Sequence, residues 1–266
     1  VLAGEFLFSR TCMPPGVLFL CVGLLLGGCR DRQVQEAPLM LVAASSLRAV
    51  VPELIAGYLA QHPGPVPIVT YGASGTLCSQ VEAGAPVHGV LFAAEAPVSR
   101  LIASGLADEG SETSVAGNQM VLVGAADGPE LDLRSLGSVG LDQRLVIGNP
   151  SFVPAGRYAR ELLEDLGIWD QLGDRLVYAG DVTRALTYVR RGEAEFGLVY
   201  ATDLRGQKGL RLLGRADWPG APSPEVVVAL THLGSAQPLA VAFFDYIRSD
   251  AAAEVFSRFG FMEVEE

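Results

Sequence analysis

From Leu39 onward, short apolar runs alternate with amphipathic stretches, the pattern of strands and helices taking turns in an α/β protein. LMLVAA (39–44) reads as a buried strand. Leu47, Val50, Val51, Leu54, Ile55, Tyr58 and Leu59 recur at three-four spacing and predict a helix over 47–59. PIVTYG (67–72) is the next strand, followed by a short helix over 76–82 that Gly84 and Pro86 stop. GVLFAA (89–94) is a third strand and 98–104 a helix. A second run of the same kind starts near Gln119. Its strands are MVLVGA (120–125), RLVIGN (144–149), LVYAG (176–180) and FGLVYA (196–201). Its helices cover 157–166, closed by Gly167, and 182–191. The tail returns to helix over 238–247 and 251–259, with Gly260 as the cap. The expected organisation is two α/β lobes, 39–118 with 226–266 and 119–225, joined by two or three crossings.

The N-terminal stretch follows a different pattern. Residues 17–26 (VLFLCVGLLL) are apolar but too short to span a bilayer, which takes roughly 20 residues. The run ends in Leu26-Gly27-Gly28-Cys29, with Arg30 and Asp31 directly after. A short apolar core closed by small residues predicts a secretory signal over 1–28, although the basic n-region is thin: Arg10, offset by Glu5. The cysteine at the cut resembles the lipobox of bacterial lipoproteins, which makes Cys29 the expected lipidation site. A plain cleaved signal with an incidental cysteine is the alternative. Cys12 and Cys21 leave with the signal, so only Cys78 remains in the folded part. That excludes an internal disulfide and a thiolate metal site. Residues 30–37 (RDRQVQEA) are polar and unpatterned, as a tether over 29–38 should be.

Composition narrows the function. Half of the residues are hydrophobic and 18% charged, the balance of an ordinary globular protein. The formal charge is −11, and Lys208 is the sole lysine. An acidic chain is a poor partner for nucleic acid. It can still bind a small anion, because distant surface charge is screened within about 8–10 Å while backbone dipoles act at contact.

Four places share one local design, in which a buried strand ends, a small or hydroxyl residue follows, and a helix begins. They are Ala44-Ser45-Ser46, Gly72-Ala73-Ser74-Gly75-Thr76, Pro154-Ala155-Gly156 and Gly180-Asp181-Val182. In open α/β sheets ligands sit at the carboxyl ends of strands, beside helix N-termini whose first N–H groups lack internal partners. Ser45, Ser46, Ser74 and Asp181 are equally good N-caps, a role that needs no ligand. Tyr200, ending FGLVY, is by itself as suited to packing as to binding.

Taken together, AASSL (43–47), YGASGTL (71–77), EAGAP (82–86), GNPSFVPAGRYA (148–159), LGIWD (166–170), GDVTRAL (180–186), GLVYATD (197–203) and AAEVFSRFGF (252–261) resemble, in order and spacing, the molybdate-binding proteins of ABC importers. The resemblance runs from about Leu39 to Phe261. It implies a two-lobed periplasmic-binding-protein fold of type II-like topology, each lobe a sheet flanked by helices, with the ligand in the cleft between them. It implies that Ser46, Ser74 and Tyr200 hold the oxyanion through hydroxyls, and Ala155 and Val182 through backbone N–H groups. The molybdenum would be held as the oxyanion, with no direct metal ligand from the protein. No cofactor and no catalysis are implied. The expected partner is the importer's membrane permease, and the expected setting extracytoplasmic, with the chain a lipid-anchored monomer. One departure concerns Val87-His88-Gly89, where the family usually has Ala-Asp; it puts the register of the following strand in question.

Two alternatives remain. A serine hydrolase would use Ser74, in a segment one residue short of G-x-S-x-G, with His62, His88 or His232 as base. A binding protein for another oxyanion, such as sulfate, would use the same donors.

Overall fold

The computed structural model describes residues 37–138 and 143–264. The signal segment, Cys29 and the tether as far as residue 36 lie outside the described residues. Strands and helices alternate through β1 (Met40–Ala44), α1 (Val51–Gln61), β2 (Ile68–Gly72), α2 (Ser74–Glu82), β3 (Gly89–Phe92), α3 (Glu95–Ala103) and β4 (Thr113–Gly117). The chain continues with β5 (Met120–Ala125), β6 (Leu145–Gly148), α4 (Pro154–Asp165), α5 (Trp169–Leu172), β7 (Leu176–Ala179) and α6 (Val182–Arg190). It ends with β8 (Phe196–Tyr200), α7 (Ala201–Leu204), β9 (Leu210–Arg215), β10 (Glu225–Leu230), α8 (His232–Ser235), α9 (Pro238–Ile247) and α10 (Asp250–Arg258).

The strands form two mixed sheets, ordered β2-β1-β3-β10-β4 and β7-β6-β8-β5-β9. In each, three strands run parallel and the remaining two pair antiparallel with their neighbours: β1 with β2 and β3, β6 with β7 and β8. Helices cover both faces, which is why the central strands are apolar along their whole length rather than alternating. Leu41 and Ala43 face the core that holds Leu54 and Phe244, while Val42 faces Leu77, Val81 and Leu101. In the second sheet Leu145 and Ile147 face Ala159 and Leu162 of α4, and Val146 faces Ala185 and Val189 of α6.

The backbone passes between the sheets at Asn118-Gln119, from β4 to β5, and over residues 216–224, from β9 to β10. The two passages are stitched together. Asn118 N–H donates to the Pro224 carbonyl at 2.7 Å, and its side-chain amide donates to Thr202 Oγ1 at 2.8 Å.

The helix expected over 47–59 starts later, at Val51, because Ser45–Leu47 form a separate 3-10 turn and Pro52 sits in the first helical turn. Conversely α2, α3 and α4 begin two or three residues before their apolar periodicity, since first turns are small and polar. Strands β4, β9 and β10 were not read from the pattern. β4 and β9 are sheet edges with only weakly buried sequences. The departure at His88 leaves the register intact. Its ring Nδ1 accepts from Met40 N–H at 2.8 Å and its own N–H donates to the Met40 carbonyl at 2.8 Å, so β3 stays in parallel register with β1, Leu41 opposite Gly89.

Candidate binding cleft

The carboxyl ends of all six parallel strands meet at one small cavity. β1 delivers Ser45 and Ser46, β2 delivers Ala73 and Ser74, and β3 delivers Ala93. From the other sheet, β6 leads to Val153, Pro154 and Ala155, β7 to Val182, and β8 ends on Tyr200. The structure thus brings Ser46, Ser74, Ala155, Val182 and Tyr200 to the lining of a single space of about 200 Å³, mouth included. The part of it open to a water-sized sphere is only about 10 Å³, far below the roughly 300–1,000 Å³ of drug-sized sites, so an occupant has only a handful of heavy atoms. Ser74, Ala155, Val182 and Tyr200 are each 3% exposed or less.

Each donor has a local cause. Ser74 is the first residue of α2 and does not cap it; its Oγ accepts from Ala93 N–H at 3.2 Å, which leaves the hydroxyl hydrogen to point elsewhere. Ala155 and Val182 lie in the first turns of α4 and α6, where N–H groups have no carbonyl four residues back and the helix dipole is positive. Pro154 suits that turn because it carries no N–H to leave unmet. Asp181 caps α6, accepting from Arg184 N–H at 2.9 Å. The Tyr200 hydroxyl crosses to the other sheet and donates to the Ala93 carbonyl at 3.3 Å. Burial raises the Tyr200 phenol well above its ordinary pKa, with Tyr158 and Asp203 adding to the effect, so Tyr200 is a donor at any physiological pH.

Among the described residues, no charged side chain lies on the lining. The nearest carboxyl along the chain after Tyr200 is Asp203, which accepts from Tyr200 N–H at 3.3 Å. Burial raises Asp203 to about 7, and the Asp181 carboxylate pushes the same way against the pull of that N–H. Burial thus disfavours a full negative charge on Asp203 behind the cleft.

Contacts that the sequence did not supply complete the site. Gly75 N–H donates to the Phe152 carbonyl at 3.0 Å, a backbone bond from α2 to the loop before α4. Ala93 contributes both its N–H and its carbonyl to the cavity wall. A buried strand end at 89–94 was the available signal for Ala93; nothing in the sequence pairs Gly75 with Phe152.

The hydrolase alternative finds no geometry. His62 stacks on Tyr58 at 4.8 Å, His88 serves β1, and His232 is paired with Asp108. None of the described histidines bonds to Ser74.

The profile of bacterial extracellular solute-binding proteins matches residues 39–262. The chain belongs to that family. As a solute-binding protein it is 30% identical over 249 residues to the molybdate-binding protein ModA of Escherichia coli, covering 92% of this chain and 96% of the relative. The ModA of Haemophilus influenzae is likewise 30% identical, over 91% of this chain and 96% of its own. Among solved structures, the periplasmic molybdate-binding protein of Azotobacter vinelandii superposes with a TM-score of 0.76 at 22% identity, covering 85% of this chain and all of the other. The two-sheet architecture of this solute-binding protein is thus the periplasmic-binding-protein fold.

Proposed function

We propose that this solute-binding protein captures molybdate or tungstate outside the cytoplasm and hands it to the membrane permease of an ABC importer. The observation that carries the reading is the cavity between the two sheets, lined by neutral donors from both and by no charged group. Likeness over nine-tenths of the chain to relatives named as molybdate-binding supports the same ligand. In this reading the lobes, 39–118 with 226–266 and 119–225, close about the passages at 118–119 and 216–224, as hinged binding proteins do. The protein binds and releases without catalysis, needs no cofactor and acts as a monomer.

The chemistry of the shell sets the selectivity. Backbone N–H groups only donate, and hydroxyls can be turned to donate, so the site suits an oxyanion that carries no proton at neutral pH. Phosphate is partly protonated there, and its O–H would need an acceptor, while the lining carbonyl of Ala93 is engaged by Tyr200 and that of Val153 by Gly156 and Arg157. Sulfate is proton-free but has shorter bonds, so the donors of two sheets cannot all reach it. Two unmet buried donors at about 1.5 kcal/mol each give roughly a hundredfold loss. Competition titration at pH 7 is expected to show molybdate and tungstate bound alike, sulfate weaker by about that factor, and phosphate weakest. Phosphate displacing molybdate at equal concentration would overturn the proposed chemistry; sulfate doing so would overturn the size argument alone.

We further propose that Cys29 carries the lipid that holds the protein at the membrane, from the Leu26-Gly27-Gly28-Cys29 motif. Cys29→Ser is then expected to move the protein from the membrane fraction to the soluble extracytoplasmic fraction. A wild type that is already soluble would count against the anchor.

A further inference from the structure

We infer that a second cavity, outside the oxyanion cavity and lined by Arg157, is the station that captures the incoming anion; this rests on the functional reading above. The space amounts to about 490 Å³, mouth included, and abuts the inner cavity, with which it shares Val153 and Pro154. Both sheets' elements build it: Gly75 and Arg100 on one side, Phe152 and Arg157 on the other. It therefore lies across the line where the two halves meet, beside the Gly75–Phe152 backbone bond.

Its charge is one-sided. Among the described residues, Arg100 and Arg157 are the charged side chains on its lining, with no carboxylate beside them. The two arginines are not equivalent. Arg100 is held by Glu82 through two hydrogen bonds of 2.8 and 3.1 Å, and by Ser79 at 3.0 Å, so its charge is largely answered. The Arg157 guanidinium takes part in none of the hydrogen bonds or ion pairs among the described residues, and the side chain is half-buried in the wall. Its positive field reaches inward to the Tyr158 and Tyr200 hydroxyls, where it opposes the effect of burial.

An uncompensated cation at the entrance, with a neutral shell behind it, divides the work between rate and affinity. The protein as a whole, at −11, repels a dianion. Charges more than about 8 Å from the ion are largely screened, so at the rim the local potential takes over. A charge at the rim raises the capture rate, whereas desolvated contacts set the dissociation rate. Arg157 is thus assigned to capture, and the donors around Ser74 and Tyr200 to retention.

The test is stopped-flow binding of molybdate to the full chain, wild type and Arg157→Gln, over a range of ionic strength. Arg157→Gln is expected to lower kon about tenfold at low salt, with the gap closing as salt rises, and to leave koff within about twofold. Arg157→Lys is expected to retain most of the wild-type kon. Arg160→Gln serves as the control, since Arg160 lies on the same helix but is bound to Glu164 at 2.7 Å and does not line either space. An unchanged kon in Arg157→Gln at low salt, or a loss confined to koff, would overturn the inference. If the wild type binds no oxyanion of the panel, the functional reading fails and the inference with it. If another oxyanion binds in place of molybdate, the same comparison is made with that ion.

Discussion

Gly75→Ala is expected to weaken oxyanion binding by a hundredfold or more while leaving the two halves of the protein folded. A Cβ at this position would stand 2.6 Å from the Phe152 carbonyl oxygen and 2.9 Å from its Cα. Both atoms are backbone, so no side-chain rotation relieves the overlap. The obstruction lies between elements that belong to different sheets, and each sheet can keep its own packing if the halves stay slightly apart. They would then fail to bring Ser74 on one side and Ala155 and Val182 on the other around the same ion. Losing two such charge-assisted contacts, each roughly 1.5 kcal/mol, accounts for the hundredfold. Calorimetry gives the affinity, and small-angle scattering with molybdate shows whether the contraction of the wild type is lost. Affinity within threefold of wild type would mean that close approach at Gly75 plays no part in binding.

The second large effect is expected at Gly156, this time on stability. A Cβ there would meet the Gly148 carbonyl oxygen at 2.0 Å and the Gly148 carbonyl carbon at 2.5 Å. The contact joins the end of β6 to the first turn of α4, within one half of the molecule. It sets how closely the helix N-terminus, with the Ala155 N–H, approaches the strand end. Overpacking of this kind costs about 3 kcal/mol, or roughly 6–12 °C in Tm for a chain of this size. Gly156→Ala should therefore melt early with or without ligand, and bind less tightly because α4 has been pushed away from the cavity. Unlike Gly75→Ala, it should show its defect in the unliganded protein. A wild-type melting curve by circular dichroism would falsify the argument.

The contrast between these two glycines shows what was legible in the sequence. The strand ends carrying Ser74, Ala155, Val182 and Tyr200 were visible as the ends of apolar runs, but their convergence on one cavity from two separate sheets is visible only in the fold. Gly75 and Gly156 sit in the same motifs, yet nothing in the pattern tells which backbone each approaches. Close approach is a tertiary fact, and glycine only permits it. Edge strands were missed for a related reason. β9 (LRLLGR) alternates too weakly to announce a sheet, because its outer side has no neighbour to bury it. β10 (EVVVAL) is apolar and buried after Glu225, and it went unread because its antiparallel place between β3 and β4 depends on a return from the other sheet. Ser74 was readable as a helix cap, whereas its hydroxyl serves Ala93 across to β3, a partner no local rule supplies.

The bonds from Gly75 to Phe152 and from Tyr200 to Ala93 give the protein a clock as well as a grip. Both span the cleft, and both must break before the walls around the ion can part. An ion enclosed by walls this tightly sealed leaves no faster than the halves separate, whatever its own contacts are worth. The hinge then sets the ceiling on escape and the donors decide how far below it each ion falls, so two ions of unlike affinity can share one upper limit on their rate of escape. A receiving permease that holds the halves apart would convert a slow, spontaneous loss into a prompt and local delivery, without altering a single donor in the site.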